Sequence, residues 1–228
     1  MVKLYTAIGK FERRMGNGGH HPVILVGGEE YMVDIPEMLI WTCCSWKILN
    51  FDELNEAYSL MAHSAGISGQ ADLEGYIRRL LQRGVIVSGS GENGREALHD
   101  LLASLQVLPV SASLLSKAVT FLKFVMQYRM PFGQAKEVFR RETLSGAEKR
   151  LIDLVRQAQL STAELMKCVE LGVYDVSNGI KIMEALYDDD YTTSDNIEFY
   201  AKLFKHRVPV LETVANLYLR KVIFFERV

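Results

Sequence analysis

Apolar and polar positions change period along the chain. In PVILVGGEEYMVD (22–34) an apolar run, a Gly-Gly pair and a second β-prone run predict a hairpin. Its turn falls at Gly27-Gly28, where glycine accepts the positive φ of a tight turn. From Pro36 the period lengthens, and IPEMLIWTCCSWKI predicts a helix with proline in its first turn, ending near Leu49-Asn50. FDELNEAYSLMAHSAG predicts a second helix from an Asp52 N-cap, with Leu54, Ala57, Tyr58 and Met61 at helical spacing and Gly66 as its stop. QADLEGYIRRLLQRG predicts a third, with Leu73, Ile77, Leu80 and Leu81 on one stripe. After Gly84, VIVSGSG reads as a short strand leading into a turn.

SGSGENG (88–94) has the composition of a flexible turn or wing tip. Helical text resumes in GREALHDLLASLQ and in SASLLSKAVTFLKFVMQYRM, which Pro131 breaks, and FGQAKEVFRRE adds a short basic helix. From Leu144 the first pattern recurs. LSGAEKRLIDLVRQAQ carries a capping box, Ser145 with Glu148, and LSTAELMKCVELG opens on a similar cue. STAELMKCVELG parallels NFDELNEAYSLM, and IKIMEALYDDDYTT parallels YIRRLLQRGVIV. A second three-helix module is therefore expected over 144–195, followed by two helices meeting near Pro209.

Hairpin, three helices and strand in order over 22–91 are similar to a winged helix-turn-helix. With the hairpin placed first, the stretch also resembles the small PqqD-like domains, or precursor-peptide recognition elements. VILVGGEEYMVD, ILNFDELNEAY and YIRRLLQRGVIV carry the likeness, and the chain runs well beyond that family's length. The expected fold is mostly α, of the α+β class, with tandem winged-helix-like modules. An N-terminal module with its β-hairpin spans 1–91, a helical connector 92–143, and a second module with C-terminal helices 144–228.

The 228 residues carry 26 Lys and Arg against 28 Asp and Glu, so no global attraction to nucleic acid or acidic membranes is expected. No run of 18 apolar residues predicts a membrane span, and the start lacks the apolar core of a secretory signal. Three cysteines make no disulfide framework, and a cytoplasmic location with reduced thiols is expected. In WTCCSW (41–46), helical spacing puts Leu39, Cys43 and Trp46 on one face and Ile40, Cys44 and Ile48 on the next. That reads as a helix wrapped by protein, with cysteine as a small hydrophobe.

Adjacent cysteines lack the spacer of zinc or redox pairs, and His20-His21 have no ligand partner at helical spacing. GNGG (16–19) and GSGENG (89–94) lack the ending of a phosphate loop. No nucleophile elbow or metalloprotease motif occurs, so no catalytic residue, metal or cofactor is assigned and the chain is read as non-enzymatic.

Two binding readings follow. A DNA-binding transcriptional regulator is the first, resting on the fold likeness, with double-stranded DNA as partner. Its contacts would be Arg78 and Arg79 on the first module's third helix, Ser177, Asn178 and Lys181 on the second's, and Arg140 and Arg141 in a basic stretch. Residues 117–150 hold eight Lys and Arg against three acids, whereas 184–198 hold six acids and no base. Asp72 and Glu74 open the first third helix, and phosphates repel them. The alternative is a peptide- or protein-binding adaptor. It would use the hairpin residues Ile24, Val26, Tyr31 and Val33 for strand addition, as the PqqD-like likeness implies. The apolar helices of 111–130 and NLYLRKVIFF serve the core or a homodimer interface.

Overall fold

The start of the chain, for which the sequence reading gives no element, forms two strands. In the computed structural model, which describes residues 1–16, 19–67, 72–110, 143–189 and 191–227, β1 spans Val2–Ala7 and β2 Lys10–Gly16. β3 (Gly19–Val26) and β4 (Glu29–Met32) follow, then α1 (Ile35–Cys44), α2 (Phe51–Ser64), α3 (Leu73–Arg83), β5 (Ile86–Gly91), α4 (Gly94–Leu102) and β6 (Gln106–Pro109). Beyond the next described residue, Thr143, lie α5 (Gly146–Gln157), β7 (Leu160–Ser161), α6 (Thr162–Leu171) and α7 (Gly179–Leu186). The chain closes with α8 (Ile197–Tyr200), a 3₁₀ turn (Ala201–Leu203), α9 (Arg207–Leu219) and β8 (Ile223–Glu226). The class is α+β, as expected.

β1 is the middle of the first unit. It pairs antiparallel with β5, Tyr5 opposite Ser88, and on its other side Tyr5 exchanges backbone hydrogen bonds with Leu49, which sits between α1 and α2. The second unit repeats this order. β6 lies between β7 and β8, with Val107 opposite both Leu160 and Phe225.

Residues 34–54 and 145–165 correspond without a gap. Asp34 and Ser145 cap α1 and α5 in capping boxes with Glu37 and Glu148. Leu49 and Leu160 make the bridging pairs, and Asn50 and Ser161 cap α2 and α6 with Glu53 and Glu164. Leu54 and Leu165 are then fully buried.

The third helix of the second unit is not where the sequence parallel puts it. IKIMEALYDDDYTT forms α7 and turns, and α7 buries only Leu186. The counterpart of α3–β5 is α9–β8, at the end of the chain. Gly84 (φ 66°) and Lys221 (φ 61°) take the same left-handed exit. Val85 N–H returns to Leu80 O at 3.1 Å, and Val222 N–H to Leu217 O at 2.9 Å. Arg83 reaches Glu37 at 2.8 Å as Arg220 reaches Glu148 at 2.6 Å. A polar segment with three aspartates cannot supply the apolar strand this site needs; VIFF can.

Two further expectations change. SGSG is strand rather than flexible linker, because α4 lies directly on it: a Cβ on Gly89 would stand 2.2 Å from Leu101 N and 2.5 Å from Ala97 O. The described part of the expected helical connector also includes β6, the centre of the second unit's sheet. α1 stops at Cys44, so Trp46 leaves the helical face assigned to it and sits in a turn at φ 59°.

The units share one core. Tyr218 of α9 is buried, and its hydroxyl accepts from Trp46 N–H at 2.9 Å, donates to Ala7 O at 3.1 Å and lies 2.9 Å from Thr6 Oγ1. Gly9 N–H joins Phe225 O at 2.9 Å.

Candidate functional site

A separate three-stranded sheet, ordered β2-β3-β4, is inserted between β1 and α1. Gly27 (φ 58°) and Gly28 (φ 86°) make a two-residue turn between β3 and β4, with Val26 opposite Glu29. In such a hairpin the pair flanking the turn exchanges both backbone bonds, and the alternation carries on along the strand. Glu29 and Tyr31 therefore bond to β3, while the N–H and C=O of Glu30 and Met32 face outward. Met32 O confirms the parity by accepting from Arg83 Nη2 at 2.9 Å. Among the described residues, β4 pairs with β3 alone.

Beside this edge runs a groove of about 580 Å³ lined by Met32, Val33, Asp34, Arg79, Gln82 and Arg83. Its charges are organised by Glu37, whose carboxylate is buried. Arg79 Nε approaches it at 3.2 Å and Arg83 Nη1 at 2.8 Å, and Asp34 N–H donates to it at 3.2 Å. Arg79 also stacks on the Tyr76 ring at 4.4 Å. Both guanidiniums stay partly exposed, so each presents donors to the groove while its position is fixed.

The hairpin residues assigned to peptide contact separate. Ile24, Val26 and Val33 are buried and hold the sheet to the helices; only Tyr31 is half-exposed, its hydroxyl 2.6 Å from Glu29 Oε2. The sequence reading leaves both strands of the hairpin available because it does not see β2. With β2 in place, β3 is paired on both sides and the outer strand is β4.

The described residues assigned to DNA lie on α3 and at the start of α7. Arg78 is exposed on α3, whereas Arg79 and Arg83 are committed to Glu37. Ser177, Asn178 and Lys181 form a local cap at the start of α7. The Asp175 carboxylate accepts from the Ser177 N–H and hydroxyl and from Lys181, and Asn178 Oδ1 accepts from Lys181 N–H. Those bonds hold the Asp175 carboxyl at about 2, with Lys181 as the largest cause. The acidic segment after α7 is structural in part, since Asp189 binds buried Lys167 at 2.6 Å. Arg140 and Arg141, like the 111–130 helices, lie outside the described residues. NLYLRKVIFF buries Leu217, Tyr218, Ile223 and Phe225 within its own chain.

All three thiols are buried. Burial pushes Cys44 and Cys168 up to about 12 and raises Cys43. A thiol-specific reagent at neutral pH should label none in the native chain and all three after denaturation; fast labelling of Cys43 or Cys44 would contradict their place in the core. Among the described residues, no group of His, Cys, Asp and Glu side chains is arranged to hold a metal ion, and no helix is long and apolar enough to cross a membrane. In comparisons with known proteins, the chain matches no family, no curated protein and no solved structure.

Proposed function

We propose that the chain is a non-catalytic binding protein of two winged-helix-like units, and that the first unit takes an extended peptide or protein segment by strand addition to β4. The carrying observation is the outward-facing backbone of Glu30 on an edge strand beside the α3 groove. Main-chain bonds to Glu30 would give affinity, and alternate side chains entering the groove would meet Arg79 and Arg83. The duplex-DNA reading keeps Arg78 and the free donors of Arg79 on α3, while Ser177, Asn178 and Lys181 are engaged with Asp175 and in their own helix cap.

The two readings separate when the purified chain is applied in parallel to an array of extended peptides and to random duplex DNA at low salt. Glu30→Pro is the diagnostic variant. It removes an outward N–H at an edge position where proline is tolerated, leaving the β3 ladder intact. The expected result is a peptide set whose affinity falls at least about tenfold in this variant, the scale of one lost backbone bond plus a steric clash. Salt-sensitive retention on DNA without peptide capture would replace this reading with the regulator.

A further inference from the structure

Two clefts lie where the units meet, and the repeat relates one wall of each. One, of about 680 Å³, is lined by Leu81, Val87 and Ser88 of the first unit with Gln106, Gln159 and Ser161 of the second. In the other, of about 470 Å³, the equivalent positions are Tyr218, Phe224 and Phe225, and the opposite wall is Phe11, Trp41 and Trp46. The second cleft is the more aromatic, with Tyr218, Phe224 and Phe225 standing where the first has Leu81, Val87 and Ser88.

Trp46 adds a second observation. It stands in the left-handed region at φ 59°, a strained conformation for a bulky side chain, and its N–H is held there by the buried Tyr218 hydroxyl. Glycine would fit that backbone without strain; the indole that stands there packs one face on Tyr218 and leaves the rest towards the cleft. Its ring lies 5.5 Å from that of Tyr218, which lies 4.5 Å from Phe225; Phe11 and Trp41 stand 6.4 Å apart across the other wall. Lys10 lines the same cleft, its ammonium 4.2 Å from the Phe224 ring centroid, and supplies a positive charge beside the aromatic surface. Phe11, 39% exposed, marks the solvent side.

We infer that this junction cleft is a binding site for a small aromatic carboxylate, the ring lying against the accessible faces of Phe11 and Trp46, over the buried Tyr218 and Phe225, and the carboxylate meeting Lys10. The volume is that of a small-molecule site. The ligand would touch both units, so its binding stabilises their association.

The chain's two tryptophans both line the cleft, which makes tryptophan emission a local probe. The probe ligand is 3-phenylpropionate, titrated against its neutral amide and against hexanoate, with a thermal melt at saturation. The expected result is a saturable change in emission and a raised Tm with 3-phenylpropionate, weaker binding of the amide, and none of hexanoate. Lys10→Met should bring acid and amide to equal affinity. Trp46→Gly should lose binding at least tenfold while the chain still melts cooperatively, with a Tm lowered by the lost packing on Tyr218, and Trp46→Phe should recover most of the binding. Equal response to hexanoate, unchanged binding in Trp46→Gly, or no saturable response to 3-phenylpropionate would overturn the assignment. Glu30→Pro should leave this titration unchanged, so failure here and failure of the β4 reading are told apart.

Discussion

Replacing Tyr218 by alanine should unfold the chain more readily than any other single substitution considered. Tyr218 is buried where the two units meet, its ring packs on Phe225 and Trp46, and its hydroxyl serves the backbones of Trp46 and Ala7. Truncation removes a large buried ring and leaves the Trp46 N–H without a partner. Large aromatic-to-alanine changes in cores cost about 3–5 kcal/mol, and an orphaned buried donor about 1–3 kcal/mol more. Tyr218→Phe isolates the second contribution and should cost about 1–3 kcal/mol in denaturant unfolding. A change under about 0.5 kcal/mol for Tyr218→Phe would mean the hydroxyl network contributes nothing net.

The same residue gives a pH dependence. Burial raises the Tyr218 phenol to about 12, above its unfolded value near 10. A raised folded value means that the neutral form is favoured in the native state. Its contribution is full below about pH 10 and is lost as pH rises towards 12. Cys44 and Cys168, also raised to about 12 by burial, extend the decline to lower alkaline pH, because unfolded thiols ionise near 8.5. Tyr218→Phe should flatten the upper part of the stability profile only.

Glu37→Ala carries the second large effect. The carboxylate is buried and receives Arg79, Arg83 and the Asp34 N–H, so one side chain ties α1, α3 and the end of β4 together through Arg83 and Met32 O. Breaking a buried ion pair by removing one partner costs about 3–5 kcal/mol when the other charge is left buried. Arg79 and Arg83 are partly exposed and able to turn to solvent, which brings the expectation to about 2–3 kcal/mol. The counterpart Glu148→Ala should follow in kind, since Arg220 repeats the contact in the second unit. Unchanged stability in Glu37→Ala would show that the pair and cap are replaced by solvent at no cost.

The repeat was legible wherever local chemistry recurs. NFDEL and STAEL share cap, glutamate and buried leucine at the same spacing, and α2 and α6 form from them. Its third helix was not legible, because Lys221 stands where Gly84 does and α7 and α8 intervene. β2 is hidden because KFERRMG is too polar to signal a strand, although β2 decides which hairpin edge is open; β1 is β-prone as VKLYTA, but nothing beside it announces its distant partner β5. Ile24, Val26 and Val33 then read as ligand contacts when they are core. In WTCCSW helical spacing is enough to place the thiols in the core but not Trp46, since nothing local announces that α1 ends two residues earlier.

Strand addition to β4 requires an open Glu30. Residue-resolved amide exchange of the free chain should find the Glu30 N–H weakly protected beside a well-protected Tyr31, and a peptide taken from the array should slow Glu30 exchange strongly while leaving Tyr31 as it was. A Glu30 amide already protected in the free chain, or unmoved when the peptide binds, would contradict the account.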